Sequence, residues 1–358
     1  MKKRIPIFFK ISSAIFLISA VLLFVARRSV AFSELVSGSL SQGFRRLMAA
    51  VGGVSSRSLF ELILLSVPLL IIIIVLLLIR AVKKERLLPT ALSLVSVAML
   101  LWSGNAVALG VGYNSTPISE RVDISPVTVD ADSLSYTLEV LVEEVNSLVG
   151  QVSRDSDGVA VTDLTLGEIS ARICTSYDAL AEKYGLYEGF SSEAKPVSSL
   201  HLLSRLGLSG IYTYYTGEAN VNADYPTYDV VFTAAHELSH QRGIMRENEA
   251  NFAAYLICST SQDPLLRYSA ALNMTEYIGA ALYRTDGERY YEIMDTLSPL
   301  AKNDIAASRA VSQNYGGGVL AEISSLVNDL FLKSNGTPGT VSYGMVVELA
   351  VAYIAEGR

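Results

Sequence analysis

The stretch from Leu62 to Ile79, LILLSVPLLIIIIVLLLI, carries no charge and is almost pure Leu, Ile and Val. A helix that is apolar all round cannot lie on a wet surface, and a run of this length matches the hydrocarbon core of a bilayer, which takes about 20 residues. Two further stretches behave alike. Ile11 to Ala26 is uncharged and extends to about Pro6 if Lys10 snorkels to the headgroups, and no charge appears between Leu87 and Glu120. Three N-terminal transmembrane helices are therefore expected, at about 6–26, 60–80 and 87–110, forming a membrane domain over 1–112. Lys2, Lys3 and Arg4 before the first stretch also fit a cleaved signal peptide, but no clear small-residue cleavage site precedes Arg27 and Arg28.

With 51% hydrophobic and 18% charged residues, the chain is too apolar to be wholly soluble. Its charge is divided: residues 1–112 hold 13 Lys/Arg and 3 Asp/Glu, and residues 113–358 hold 15 and 32, so balances of +10 and −17 give the net −7. An acidic rear region disfavours the phosphate backbone, so no nucleic-acid partner is expected. Positive residues near span ends set orientation. With three spans, Lys2, Lys3 and Arg4 share a side with Arg80, Lys83, Lys84 and Arg86, which makes that side cytoplasmic against an opposing 27–58 loop with five arginines. The expectation is a multi-pass cell-membrane protein whose 113–358 domain lies outside the cytoplasm.

That domain reads as mainly helical, from apolar residues at helical spacing over 131–151, 164–184, 228–242, 247–260, 263–284, 286–313, 318–333 and 343–355. Ser209 to Asn222, SGIYTYYTGEANVN, is the exception and reads as one or two short strands forming a β edge. Gly316 to Gly318 marks a helix break. Cys174 and Cys258 are the only cysteines. They match no metal or redox spacing, and a disulfide and two buried thiols stay equally open.

Residues 230–252 read VVFTAAHELSHQRGIMRENEANF. Residues four apart share a helix face, so His236 and His240 offer two nitrogens to one ion while Glu237 projects beside them, the HExxH arrangement. Only three histidines exist in the chain, so composition does not explain the placement. Such nitrogens suit Zn²⁺, whose catalytic sites use three protein ligands and leave a position for water. Gly243 is placed to end the helix and send the chain back. Glu247 is the preferred third ligand and Glu249 the alternative. On a helix from 247, Asn251 shares a face with Glu247 and could hold a ligating histidine, while Glu249 points about 160° away at ~100° per residue. Glu237 is then the base that takes a proton from a zinc-activated water.

His201 stands alone and reads as structural. Arg242 and Arg246 read as solvent-facing or ion-pair residues, with Arg246 near enough to meet a bound carboxylate. Tyr212, Tyr214, Tyr215, Tyr225 and Tyr228 form an aromatic cluster, any one of which could donate to an oxyanion. Charged residues flanking the HELSH helix, Asp224, Asp229, Arg242 and Arg246, argue against a site at bilayer depth.

The ExxAN spacing from Glu247 resembles the element by which several glutamate-type zincin families supply their third ligand. In many zincins a strand beside the metal helix pairs with extended substrate, which would make Asn220 or Asn222 on Glu218 to Asn222 a substrate-binding residue. The runs SGIYTYYTGEANVN, AHELSHQRG and ENEANFAAYL behind three apolar stretches resemble the uncharacterised bacterial membrane-protein family called domain of unknown function 3810, most strongly from about Lys195 to Cys258. The resemblance implies a membrane-anchored zincin-like protein whose motif includes His236, Glu237, His240 and the ENEAN glutamates, with a motif core over 195–260. The expected activity is zinc-dependent cleavage of a peptide or protein. A non-catalytic envelope scaffold or sensor with a structural or absent metal is the alternative, and a hydrolase acting on another amide a third reading.

Overall fold

The computed structural model describes residues 6–84 and 86–357 and divides them between two compact units. Lys2, Lys3 and Arg4 lie outside the described residues.

The first unit comprises the chain up to Ser115 together with the turn Thr213–Glu218. Its helices are α1 (Ile7–Ala26), α2 (Val30–Val36), α3 (Gln42–Gly52), α4 (Leu59–Lys83) and α5 (Leu87–Asn105). Three are long and apolar enough to cross a membrane: α1, α4, and α5 with its continuation to Asn114. At ~1.5 Å per residue α4 measures about 37 Å, more than the ~30 Å of hydrocarbon. Only Phe60 and Ala81 of α4 are buried, so its aliphatic side chains face outward. Its first turn is capped twice. Ser58 Oγ accepts from Glu61 N–H at 2.9 Å, and the Glu218 carboxylate accepts from the Leu59 and Phe60 N–H groups, each at 2.9 Å. The α1 and α5 helices run in the same direction, as Ser13 meets Met99 at 3.8 Å and Phe16 meets Trp102 with ring centroids 4.7 Å apart.

The second unit, Thr116–Tyr212 with Ala219–Arg358, is helical around one core. Its helices are α6 (Ile118–Val122), α7 (Ala131–Leu148), α8 (Leu166–Tyr184), α9 (Leu202–Leu206), α10 (Thr227–Arg242), α11 (Glu247–Ser259), α12 (Pro264–Thr285), α13 (Gly287–Asp295), α14 (Pro299–Tyr315), α15 (Val319–Ser334) and α16 (Val346–Ala355). The apolar periodicity thus marks most helices correctly. One segment differs: 286–313 is two helices, because Pro299 starts α14 at its first position after the Thr296–Ser298 break. The break at Gly316–Gly318 is present, with Gly317 and Gly318 at φ +90° and +81°. Both cysteines are buried free thiols.

Three strands form one sheet in the order β1-β3-β2: β1 (Ala194–Val197), β2 (Gly210–Thr213) and β3 (Glu218–Asn222). β1 pairs parallel to β3, Ala194 opposite Ala219. β1 carries no strand signal in its sequence, because AKPV contains proline, which sheets tolerate only at an edge, where β1 sits.

A buried acid on α10 gives a testable pH dependence. Burial pushes the Asp229 carboxyl up to about 7, with a Ser308 hydrogen bond working against it and the Glu276 carboxylate reinforcing it. The folded pKa lies above the unfolded one, so this site's contribution to stability is complete below pH ~4 and is lost as pH rises through ~7. Asp229→Asn should remove that loss and raise Tm by several degrees at pH 8 but not at pH 4. Equal Tm changes at both values in a thermal scan would contradict it.

Candidate metal centre

Helix α10 ends at Gly243, whose φ of 114° only glycine adopts at little cost. Its N–H reaches His240 O at 3.0 Å, and Ile244 N–H closes on Ser239 O at 3.1 Å. The reversed chain starts α11 at Glu247, and α11 packs back along α10. That reversal places Glu247 opposite the last turns of α10. Its Oε2 lies 3.3 Å from Nε2 of both His236 and His240. The imidazoles meet edge to face with centroids 4.6 Å apart, and one donor atom from each of the three residues falls within 4.8 Å of the others. All three side chains are buried.

Hydrogen bonds fix the His240 ring. His240 Nδ1 donates to Ile244 O at 2.7 Å, which turns Nε2 toward Glu247. Burial works to lower the His240 pKa, but the Glu247 carboxylate outweighs it and pushes it up to about 9. Burial likewise works to raise Glu247, and the two histidines overcome it, holding the carboxyl well below the usual range. Glu237 is different: burial pushes it up to about 7 against the pull of both histidines. The Tyr212 backbone N–H donates to its carboxylate, and Glu237 Oε2 is buried with no partner among the described residues.

Sheet and helix meet closely here. A Cβ on Gly210 of β2 would stand 2.6 Å from Glu237 Oε1, 2.5 Å from Thr233 Cγ2 and 2.8 Å from Asn220 O. Gly210→Ala therefore overpacks the contact between strand and helix, at a cost of ~1–3 kcal/mol, and should lower Tm by about 5 °C. An unchanged Tm would show that the strand can slide away from α10.

Other expected site residues lie elsewhere. Glu249 is not in the converging group: its Oε1 pairs with Arg246 Nη1 at 2.7 Å and accepts Ile118 N–H at 3.3 Å. The Asn251 amide bonds Tyr277 on α12, whereas His240 Nδ1 is held by Ile244 O and His236 Nδ1 has no partner among the described residues. Holding a histidine is thus the work of the backbone carbonyl beyond Gly243, which the helix phase alone did not disclose. Asn220 and Asn222 are fully buried. Asn220 donates to Ile211 O at 3.2 Å, and Asn222 donates to Leu208 O and Ser204 Oγ, each at 2.9 Å. β3 is the middle strand, with both neighbours bonded, so the expected substrate contact on Glu218–Asn222 is corrected: the sheet edges are β1 and β2.

Arg242 is also corrected, being fully buried rather than at the surface. It donates to Leu238 O at 3.0 Å, Phe190 O at 2.6 Å and Cys174 Sγ at 2.8 Å, and stacks over Tyr177 and Phe190. His201 pairs with Asp224 at 2.8 Å and stacks on Tyr315, a structural arrangement. Among the tyrosines, Tyr228 donates to Glu276 at 2.8 Å and Tyr225 meets Ser312 at 3.1 Å, so their hydroxyls are occupied away from the histidines. Tyr277, which no local motif marks, feels the Glu247 carboxylate. Burial and that charge push its phenol up to about 12.

A model of the family described as Protein of unknown function (DUF3810) matches residues 37–351. The chain belongs to this family. The DUF3810 match runs from the turn after α2 into α16, and so takes in α4, α5 and the whole His236–His240–Glu247 group. Neither the curated proteins nor the solved structures give a match.

Proposed function

We propose that this DUF3810 member is a membrane-anchored, zinc-dependent metallopeptidase of zincin-like type, cleaving peptide or protein substrates outside the cytoplasm. The observation that carries the reading is the convergence of His236 Nε2, His240 Nε2 and Glu247 Oε2 on one point, beside a buried Glu237 oxygen with no partner among the described residues. Two imidazoles and a carboxylate are a zinc donor set, so these residues fit the ion and would hold it. Three converging side chains among the described residues favour a site that keeps a position open over a closed, four-ligand structural one.

When bound, zinc lowers the pKa of a water toward ~7 and polarises a carbonyl. The chain supplies the rest. Glu237, whose carboxyl burial pushes up, is placed to take a proton from that water and return it to the leaving amine. The Tyr212 N–H fixes its carboxylate, and Gly210 leaves room for it.

The parallel α1 and α5 support three crossings, with α4 as the return. The basic end of α4, with Arg80 and Lys83, is then cytoplasmic and the region after Tyr113 lies across the membrane from it. The acidic rear region weakly favours neutral or cationic peptides.

Metal analysis tests the reading. Purified full-length protein should carry about one zinc per chain, Glu247→Gln should lose most of it because a neutral amide replaces the anionic ligand, and Glu249→Gln should keep it. Equal zinc in the wild type and Glu247→Gln would remove the ligand assignment.

A further inference from the structure

The segment between the first two apolar stretches reads in sequence as a loop with five arginines, yet its Val30–Gly52 part, with Arg45 and Arg46, folds into one helix. Ser29 Oγ caps it by accepting from Phe32 N–H at 3.2 Å, and α2 continues through a π-helical turn, Ser37–Ser41, straight into α3 with right-handed backbone at each join. Its polarity is inverted. Ser33, Ser37, Ser41, Gln42 and Arg45 face inward, none more than 5% exposed. Leu35, Leu40, Leu47 and Val51 face outward, 67%, 52%, 62% and 47% exposed, while the charged Glu34 and Arg46 are half-buried.

Backbone carbonyls satisfy the polar side. After α5 a second π-helical turn, Ala106–Gly110, sends Val111 N–H back to Ala106 O at 3.0 Å and frees neighbouring carbonyls. Ser41 Oγ donates to Val107 O at 2.6 Å, Arg45 Nη1 to Ala108 O at 2.9 Å and Ser33 Oγ to Val111 O at 2.7 Å. Arg45 Nη2 also donates to Ser37 O and Gln42 Oε1. A helix in water turns apolar residues in and polar residues out. The reverse arrangement, with aliphatic side chains outward and serines bonded to carbonyls inside, is what hydrocarbon demands.

We propose that Val30–Gly52 is a fourth membrane-embedded helix whose outer face contacts lipid. Lipid is the occupant because α2 packs on α1 within the same compact unit as α4, whose outward faces are of the same aliphatic chemistry, and because the exposed face offers no tryptophan, tyrosine or arginine anchor of the kind protein interfaces use. The helix does not cross. An added crossing between α1 and α4 would set α1 and α5 antiparallel, and they are parallel. With both ends on one side, a continuous helix of about 34 Å lies along that face of the bilayer, its outer side in the acyl region, and Arg45 is not a loop charge. Nothing in this inference depends on the metal reading.

The chain has a single tryptophan, Trp102, itself 39% exposed on α5. In full-length protein carrying Trp102→Phe, Leu35→Trp and Leu47→Trp place the probe on the outer face, and Ser56→Trp places it in the following turn. In vesicles of phosphatidylcholine brominated in the acyl chains, both outer-face probes should lose emission as Trp102 does in the wild type, and should resist aqueous iodide, while Ser56→Trp shows the opposite. Iodide quenching of Leu35→Trp and Leu47→Trp would place the helix in water and overturn the proposal. Protection from both quenchers would mean a protein surface covers it, which overturns it too. Two probe positions keep the test decisive if one variant fails to fold.

Discussion

Glu237→Gln should abolish hydrolysis of any peptide the wild-type protein cleaves, by about 10³-fold, while zinc content stays unchanged. The substitution keeps volume and the Tyr212 N–H contact, and removes only the capacity to hold a proton at a carboxylate oxygen. Among the described residues neither nearby carboxylate can take its place, since Glu247 faces the two histidines and Glu249 is engaged by Arg246. The wild-type rate should also rise with pH through a value set by Glu237, because burial, opposed by both histidines, leaves the carboxyl near 7 in the ion-free protein. A bound dication lowers that value, so the observed limb belongs below 7. Activity retained in zinc-replete Glu237→Gln would remove the base assignment; zinc lost together with activity would make Glu237 part of the metal shell instead.

How much of this was legible in the sequence depends on the distance over which each feature is determined. His236, Glu237 and His240 lie within one helical turn, so period alone assembles them. Glu247 needs one further step, the reversal at Gly243, and that glycine announces it. Beyond such local rules the signal fails. Ile244 O holds His240 because of how the turn closes, not because of its side chain. Tyr277 reaches Asn251 only through the packing of α11 against α12. β3 becomes a middle strand only once β1, hidden by Pro196, is placed beside it. Arg45 and Arg242 show the same limit for charge: sequence assigns an arginine to water, and the fold buries both among carbonyl acceptors. The long apolar helices were the most legible part, since hydrocarbon imposes length and composition without reference to any tertiary partner.

Removing zinc should lower Tm by about 10 °C at pH 8, the shift that ~4 kcal/mol of ligand stabilisation gives a domain of this size. The gap between loaded and stripped protein should widen as pH rises from 6.5 to 9. In the stripped protein, burial acts to lower the His240 pKa but Glu247 raises it to about 9, above its unfolded value near 6.5. The resulting ion pair stabilises fully below ~6.5 and fades as pH climbs through ~9, and Glu237, raised to about 7 by burial, adds a loss of the same sign at lower pH. Zinc behaves oppositely, because it must displace the His240 proton and so binds more tightly as that proton becomes easier to remove. Thermal scans of full-length protein with and without a chelator, taken across this pH range, read both trends at once. His240→Ala should remove the limb of the pH dependence near 9 and abolish the zinc shift together, since one nitrogen carries both the proton and the ligand bond. A chelator-insensitive Tm at every pH would show that the three donors hold their positions as an ion-paired cluster in their own right.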